Sequence, residues 1–478
     1  MKALYDVAVI GAGPAGLVAA TVAARHALAT VLFDEQAAPG GQIYGPPTAG
    51  TNVRPGDAKG SIHDAALVEV FRQSGATWVP DATVWSAGKG NADRYELGVV
   101  YGAPGARSSR IVSTRAVIIA TGALERPFPI PGGTLPGVMT AAGAQVLLKT
   151  AAIGRTSRVV LAGNGALLWR LAAQCLDTGI GLVALFDTTP RGVRWRCLPG
   201  AWDIARAPNF LRRVAEERAV RRAVRVIANV TALGASGPDR VESIQFDAAG
   251  TAGEVSADLL FLHQGLVPDI NLGTALGCAH RWNDARASFE PVVDAWGGST
   301  LPDVFFAGDA AGVAGSEAAE ARGELAALAV ANALGRIDAK ARDTAAEKPR
   351  AALRRALRGA AFLDALRRPA DAFRIPRGDT VVCRCENVTA AQVVDAVRSG
   401  ASGPNQVKAF SRCGMGPCQG RFCGITVTEM VARECRISPE TAGYFRLRWP
   451  VKPITLAELA SLPSSPDAER AIARTTPH

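Results

Sequence analysis

The sequence predicts an α/β fold in which two domains of the dinucleotide-binding type precede a small C-terminal domain. A buried strand, a glycine-rich turn, an Ala-rich helix and a second strand begin at Asp6, and the same order begins again at Ser157. This order is typical of doubly wound parallel sheets. Five of the nine cysteines fall between Cys383 and Cys423. The 478 residues exceed the length at which one hydrophobic core keeps growing, so several domains are expected.

The composition is that of a globular chain, with 48% apolar and 20% charged residues. No run of 18 or more apolar residues occurs, which argues against a membrane span. Strand-like sequence starts by Tyr5, so no room is left for a signal peptide, and a reducing, cytoplasmic location is expected. The net charge of +10 comes mainly from scattered Arg without a groove-reading motif, so no nucleic-acid partner is expected.

The first glycine-rich turn reads Gly11-Ala-Gly13-Pro14-Ala15-Gly16. The first glycine makes the tight turn, the second lets a pyrophosphate approach the backbone, and the third allows close packing of helix on strand. Pro14 and Ala15 open the helix, whose free N–H groups and positive end favour phosphate. The pattern therefore predicts a dinucleotide site.

A ribose-binding acid is expected about 20 residues further on, at the end of the second strand. Asp34 and Glu35 lie there. Three later segments add six candidate residues for the same site: Gly41 and Gln42 in PGGQIY, Thr121 and Gly122 in VIIATGALERP, and Gly308 and Asp309 in VFFAGDAAG.

Together these four segments resemble the flavoprotein disulfide reductase superfamily, whose members have two dinucleotide-binding domains, as in glutathione reductase. The resemblance implies FAD, with Glu35 a better match than Asp34 for the ribose and Gly308-Asp309 at the ribityl–phosphate region. Disulfide-reducing members need a cysteine pair facing the flavin. Here Cys175, Cys197 and Cys278 are isolated and are interpreted as buried thiols, so disulfide reduction is not expected.

The second glycine-rich turn, Gly163-Asn-Gly165-Ala-Leu-Leu168, departs from the pattern. Leu168 stands where the third glycine should be, and Asp187 is the one acid at the end of the following strand. A bulky residue at the packing position argues against standard NAD(P) binding. The alternatives are another adenine nucleotide and an empty, structural domain.

The C-terminal cysteines form two close pairs 32 residues apart, and they are candidate metal ligands: Cys383, Cys385, Cys418 and Cys423. Four thiolates suit a [2Fe–2S] cluster or a structural zinc. The spacing resembles the bacterioferritin-associated-ferredoxin-like domain, a small helical [2Fe–2S] module. Cys413 and Cys435 are expected to lie outside the ligand set.

The predicted division of the chain has five parts. They are an FAD domain (1–130 and 285–340), an inserted, degenerate second dinucleotide-type domain (131–284), a helical linker (341–378), a [2Fe–2S] domain (379–435) and a tail (436–478).

FAD motifs at one end and CRCENVT…RCGMGPCQGRFC at the other resemble one family. It comprises the FAD- and [2Fe–2S]-containing α-type subunits of heteromeric bacterial amine and amino-acid dehydrogenases, such as opine oxidases and dye-linked L-proline dehydrogenases. The resemblance implies that a β subunit with its own FAD carries the substrate site, that a small ferredoxin-like subunit can join it, and that this chain passes electrons to an external acceptor.

Two other functions remain open at the level of sequence. One is a stand-alone NAD(P)H-dependent FAD/iron–sulfur reductase, and the other is a non-enzymatic docking partner. The five histidines show no spacing typical of a catalytic triad or a metal site, so no catalytic residue is expected in this chain.

Overall fold

The computed structural model describes residues 4–44, 58–90, 93–103, 105–149, 153–154, 156–193 and 210–463. Its strands are β1 Leu4–Ile10, β2 Thr30–Phe33, β3 Thr77–Val79, β4 Thr83–Lys89, β5 Tyr95–Tyr101, β6 Ser108–Ile119, β7 Ala123–Glu125, β8 Val138–Thr140, β9 Arg158–Gly163, β10 Gly181–Asp187, β11 Arg225–Ala228, β12 Val230–Ser236, β13 Ser243–Ala248, β14 Thr251–Ser256, β15 Leu259–His263, β16 Leu266–Pro268, β17 His280–Asn283, β18 Ser288–Pro291, β19 Val304–Phe306, β20 Val381–Cys383 and β21 Val388–Thr389.

The helices of the described residues are α1 Pro14–Arg25, α2 Gly41–Tyr44, α3 Ala58–Arg72, α4 Ala141–Lys149, α5 Ala166–Thr178, α6 Phe210–Ala223, α7 Asn271–Leu276, α8 Ser316–Ala333, α9 Ala339–Ala345, α10 Glu347–Ala356, α11 Ala360–Arg367, α12 Asp371–Arg374, α13 Ala390–Arg398, α14 Pro404–Ser411, α15 Gly424–Cys435, α16 Pro439–Ala442 and α17 Leu456–Ala460. In this part of the chain, no helix combines the length and apolarity that crossing a membrane requires.

The first sheet has the strand order β3-β2-β1-β6-β5-β4, and β19 pairs with β6. Its centre is parallel, with Val9 opposite both Leu32 and Ile118. The strand β19 returns the chain to this sheet, where Phe305 lies opposite Ile118 in parallel register. The carboxyl ends of β1, β2, β6 and β19 therefore meet at one edge, where doubly wound sheets bind their ligands.

Small residues let α1 and α8 pack closely over this sheet. Ala15, Ala19 and Ala326 are all buried in one core with strand residues of β1 and β6. A Cβ atom on Gly323 of α8 would lie 2.2 Å from the carbonyl oxygen of Ala15. The Ala-rich sequence of both helices thus sets a short distance between them and fixes α1 relative to the return strand.

The second sheet has the order β11-β10-β9-β15-β8, and its strands pair in parallel. An antiparallel sheet of β12, β13 and β14 packs beside it, sharing a core that contains Phe186, Ile244 and Leu260. The strands β7 and β16 pair with each other and carry the chain between the two domains. Cys175 is buried in α5 as expected, and Cys197 lies outside the described residues.

The C-terminal region is mainly helical. A capping box, in which Thr389 and Gln392 bond each other's backbone, begins α13. The core of this region includes Val393 and Val427, and it extends to Phe445 and Leu447 in the segment predicted as a tail. These two side chains are 1% and 7% exposed, so the segment after α15 contributes to the core of the cysteine-containing region.

Candidate functional site

The first glycine-rich turn leads directly into α1, with Gly13 as the N-cap residue and Pro14 at the first helical position. Gly16 packs beneath the turn, since a Cβ there would lie 1.8 Å from the carbonyl oxygen of Gly11. In contrast, no atom lies within 4 Å of the position that a Cβ on Gly13 would take. The space in front of Gly13 is therefore open, as the approach of a pyrophosphate requires.

The two candidate acids take different positions. The Asp34 carboxylate accepts hydrogen bonds from the backbone N–H groups of Ala12 (2.5 Å) and Gln36 (2.8 Å), so it braces the turn. Burial raises the pKa of Asp34, and the two backbone donors oppose that shift. The Glu35 side chain is 47% exposed and forms an ion pair with Lys452. Glu35 is thus the acid that is freer to meet a ribose.

The strand β19 leads into Gly308 and Asp309, which line the same cavity as the first glycine-rich turn. Gly308 has a φ of +66°, and a Cβ on it would lie 2.7 Å from the Cβ of Ala15, so glycine is needed here for both conformation and space. Asp309 Oδ1 accepts hydrogen bonds from the backbone N–H groups of Ala314 (2.9 Å) and Gly315 (3.2 Å). Asp309 therefore fixes the loop that begins α8.

All the residues predicted for the flavin site except Gly16 line one cavity of about 2340 Å³. Gly41, Gln42, Thr121 and Gly122 form part of its wall. An open approach at Gly13, the positive end of α1 and an accessible acid at Glu35 are the features that a dinucleotide needs. The residues present therefore fit FAD.

The C-terminal turn region gathers five thiols. The sulfurs of Cys383, Cys413 and Cys423 lie within 4.8 Å of one another, and all three residues are buried. Cys385, which is exposed, lies next to Cys418, which is partly buried. The neighbouring thiols of Cys413 and Cys423 lower the pKa of the Cys383 thiol.

An all-thiol donor set fits an iron–sulfur cluster or zinc. Of the four predicted ligands, Cys383 and Cys423 lie in the buried group, together with Cys413, which the spacing placed outside the ligand set. The other two, Cys385 and Cys418, lie next to each other. The Cys435 sulfur instead lies 4.0 Å from the carbonyl oxygen of Ala401. Which four thiols bind metal stays a prediction.

Two family models match the chain. Residues 5–333 match the family model described as pyridine nucleotide-disulphide oxidoreductase, which is more than half of the chain. The chain belongs to this family. Residues 377–462, which contain the five thiols, match the sarcosine oxidase A3 domain. The expected glutathione-reductase-like fold is thereby confirmed.

The relatives narrow the family further. The A subunit of opine oxidase from Agrobacterium tumefaciens is 42% identical over 98% of this chain and 94% of its own length. The HcnB subunit of hydrogen cyanide synthase from Pseudomonas aeruginosa is 28% identical over 95% of this chain and 98% of its own length. The chain therefore belongs with the opine oxidase A subunits, and it is an FAD-dependent oxidoreductase.

The fold is shared with a solved structure. L-Proline dehydrogenase from P. horikoshii matches with a TM-score of 0.67 at 19% identity, over 95% of this chain and 79% of that one. The overlap extends beyond the two dinucleotide-type domains into the C-terminal region, since those domains alone end well before residue 378.

In this oxidoreductase the thiol turn is joined to the flavin cavity. Arg421 lines the cavity, and its guanidinium donates to the carbonyl oxygens of Cys418 (3.2 Å) and Val451 (3.0 Å). Its Nε lies 3.7 Å from Asp269 Oδ2. The Asn271 side chain also donates to the carbonyl oxygen of Gln419 (3.0 Å).

The segment from Asp269 to Asn271 is in turn bonded to the wall of the flavin site. The Asp269 N–H donates to the carbonyl oxygen of Gly122 (3.1 Å), and the Thr121 hydroxyl donates to the carbonyl oxygen of Asp269 (3.4 Å). A short chain of hydrogen bonds therefore connects the Cys418 turn to Thr121 and Gly122. Sequence reasoning missed Asp269 and Asn271, because both are distant from the motifs along the chain.

A buried pair, to which sequence reasoning gave no role, joins Glu125 of the connecting strand β7 to His263 of the second domain. His263 Nδ1 lies 2.5 Å from Glu125 Oε1, and the two side chains are 3% and 4% exposed. Both residues line the same large cavity. Each ends a strand that borders the crossing between the domains, and that shared position at strand ends is the signal that could have found them.

Proposed function

We propose that the chain is the FAD- and [2Fe–2S]-containing electron-transfer subunit of a heteromeric dehydrogenase or oxidase. The assembly acts on the C–N bond of an amino acid, an opine or an imino acid such as proline or hydroxyproline. Relatives over nearly the whole chain are named as subunits of opine oxidase and hydrogen cyanide synthase, which supports a heteromer. A separate β subunit with its own FAD carries the substrate site.

The observation that carries this proposal is the junction between the thiol turn and the flavin cavity. Arg421 bonds the Cys418 carbonyl on one side and faces Asp269 on the other, with side-chain exposures of 11% and 12%. Two ligand sites held together in this way suit a chain that passes electrons from one to the other. A scaffold without redox function would not need an open nucleotide approach at Gly13 beside this junction.

FAD would supply two-electron chemistry in the cavity, and a [2Fe–2S] cluster would supply one-electron chemistry at the thiols. The residues of this chain bind and orient both groups. Gly13 and the N-terminus of α1 receive the pyrophosphate, and Glu35 receives the ribose. Arg421 and Asn271 hold the Cys418 turn against the cavity wall. A reducing, cytoplasmic location would keep the thiols available for iron.

Purification of the tagged chain from its native host tests the proposal. We expect an FAD-containing partner to copurify, and we expect proline, hydroxyproline or an opine to reduce the flavins only when that partner is present. The external acceptor is then reduced through this chain. Oxidation of an amino acid by the isolated chain, or rapid flavin reduction by NADH without a partner, would contradict the assignment.

A further inference from the structure

The second dinucleotide-type domain carries a feature that its motif does not reveal. His263 ends β15, a strand of the second parallel sheet, at the edge where such a sheet would bind a nucleotide. Glu125, its partner, ends β7 of the connecting strand pair β7–β16. Glu125 Oε1 contacts the imidazole, and Oε2 accepts a hydrogen bond from the N–H of Ala142 (2.8 Å), in the first turn of α4. The crevice therefore already contains a carboxylate at a helix N-terminus.

The two glycine-rich turns differ in the space before their second glycine. Gly13 and Gly165 hold equivalent positions in the two turns. No atom lies within 4 Å of a Cβ position on Gly13, but the His263 imidazole lies 3.3 Å (Nε2) and 3.4 Å (Cδ2) from a Cβ position on Gly165. The backbone also differs, with a φ of −71° at Gly13 and +117° at Gly165, so the two Cβ positions point in different directions. The second turn therefore has an imidazole ring beside the N-cap glycine of α5, where the first turn has no side chain at the corresponding glycine.

We propose that the Glu125–His263 pair closes the pyrophosphate subsite of the second domain and so excludes NADH and other dinucleotides from it. The imidazole stands beside Gly165 at the start of α5, and the carboxylate repels a phosphate at close range. Leu168, fully buried in place of the third glycine, holds α5 in a packing that the motif glycine would not give. His263 is thus the residue that sets nucleotide specificity, independently of the proposed function.

Arginines in the same cavity support an alternative, in which the second domain binds a phosphate group. Arg170, Arg213 and Arg367 line the wall near the second domain and would attract an anion. If a phosphate were bound there with His263 as a ligand, removal of the imidazole would weaken nucleotide binding. If the pair closes the subsite, removal of the imidazole strengthens it. The two ideas predict changes of opposite sign.

Calorimetric titration of the flavin-loaded full chain with NADH and with ADP-ribose decides between them. His263→Ala should bind either probe about tenfold more tightly than wild type, or more, a gain of about 1.4 kcal/mol. His263→Asn, which is smaller than histidine but can still bond Glu125, should show a smaller gain. His26→Ala at the end of α1 is the matched control and should behave as wild type.

Flavin absorbance and the thermal midpoint of each variant show whether it is folded and loaded, so failure of the FAD assignment is seen separately. Folded His263→Ala that binds no better than wild type, or worse, overturns the proposal. If both His263 variants fail to fold, Glu125→Gln, which keeps the size of the side chain and removes its charge, is titrated instead. Tighter binding of NADH by folded Glu125→Gln than by wild type supports the proposal, and unchanged or weaker binding overturns it.

Discussion

Among single residues, the glycines of the first glycine-rich turn show that one residue type can have different physical roles. Gly16 is packed against backbone, whereas the space before Gly13 is empty. A methyl group at position 13 therefore fits the protein without its ligand but meets a bound pyrophosphate, and a methyl group at position 16 cannot fit either state. The same residue type is required by the ligand at one position and by folding at the other.

We therefore expect Gly13→Ala to fold with a near-normal thermal midpoint and to lose most of its flavin, and Gly13→Val to lose more. Gly16→Ala should lower the yield of folded protein, because the new Cβ meets the carbonyl oxygen of Gly11. Flavin content per chain and the thermal midpoint measure the two effects. Gly88→Ala, where the Cβ also meets no atom within 4 Å, is the matched control. Full flavin occupancy in Gly13→Val would contradict the site.

His280 links the stability of the protein to pH. Its ring packs edge-on against Phe306, with centroids 6.1 Å apart, and its Nδ1 lies 2.9 Å from the carbonyl oxygen of Cys278. Burial lowers the pKa of His280 to about 4. The unfolded chain therefore binds a proton at higher pH than the folded protein does. Stability from this group is present above its unfolded pKa and is lost as the pH falls towards 4.

Between pH 7.5 and pH 5.5 the loss due to His280 should be about 1.4 kcal/mol. His280→Gln should remove this part of the pH dependence, because glutamine does not titrate. Urea unfolding of wild type and variant at the two pH values measures the difference, and His26→Gln serves as the histidine control. Equal pH dependence in wild type and His280→Gln would show that His280 is protonated equally in both states.

The five cysteines of the C-terminal region divide into two sets. Cys383, Cys413 and Cys423 form a buried group of three, while Cys385 and Cys418 form a separate pair. A [2Fe–2S] cluster needs two thiolates for each iron. The buried group thus has one thiol more than it needs, and the pair of Cys385 and Cys418 has none to spare.

Cys418→Ser should therefore lose its iron while it keeps FAD, and Cys413→Ser should keep both. Iron and acid-labile sulfide analysis with EPR of the reduced protein measures the outcome, and Cys435→Ser is the control outside the group. Iron lost from Cys413→Ser but retained in Cys418→Ser would exchange their roles. Zinc in place of iron would remove electron transfer through this region.

At the level of elements, local patterns predicted much of this protein. The fold class follows from β1, the glycine turn and α1, which are adjacent in sequence. The position of Cys413 could not be predicted from spacing. The chain turns at Arg412, directly after α14, and this turn brings Cys413 close to Cys383. The role of Phe445 was missed for a similar reason, since a short segment without regular structure gives no periodic signal that it is buried.

Over the whole molecule, the features that sequence reasoning missed are contacts between distant parts. Glu125 and His263 are 138 residues apart, and Asn271 and Gln419 are 148 apart. No motif spans such distances, and without the fold these residues look ordinary. The two contacts have different consequences. The Glu125–His263 contact places an imidazole beside the second glycine-rich turn, and the Asn271–Gln419 contact holds the thiol turn against the flavin cavity.

Arg421 joins the thiol turn to the wall of the flavin cavity. Arg421 donates to the Cys418 carbonyl and faces Asp269, so Arg421→Ala removes hydrogen bonds from a charged donor, each worth about 1.5–3 kcal/mol. We expect the variant to retain FAD and iron but to transfer electrons from flavin to cluster more slowly, because the Cys418 turn is no longer held against the cavity. Arg421→Lys should recover only part of the rate, since an ammonium can donate to both carbonyl oxygens but lacks the Nε that faces Asp269.

Photoreduction of the flavin, followed by freeze-quenched EPR of the cluster, measures the transfer directly. Arg384→Ala is the control, because Arg384 is an exposed arginine next to Cys385 and its removal also takes one positive charge from the thiol region. If electron transfer is slow in Arg421→Ala and normal in Arg384→Ala, the effect is due to the position of the Cys418 turn and not to the loss of a positive charge. Wild-type transfer in Arg421→Ala would mean that the junction serves stability alone and that electrons leave the flavin by another route.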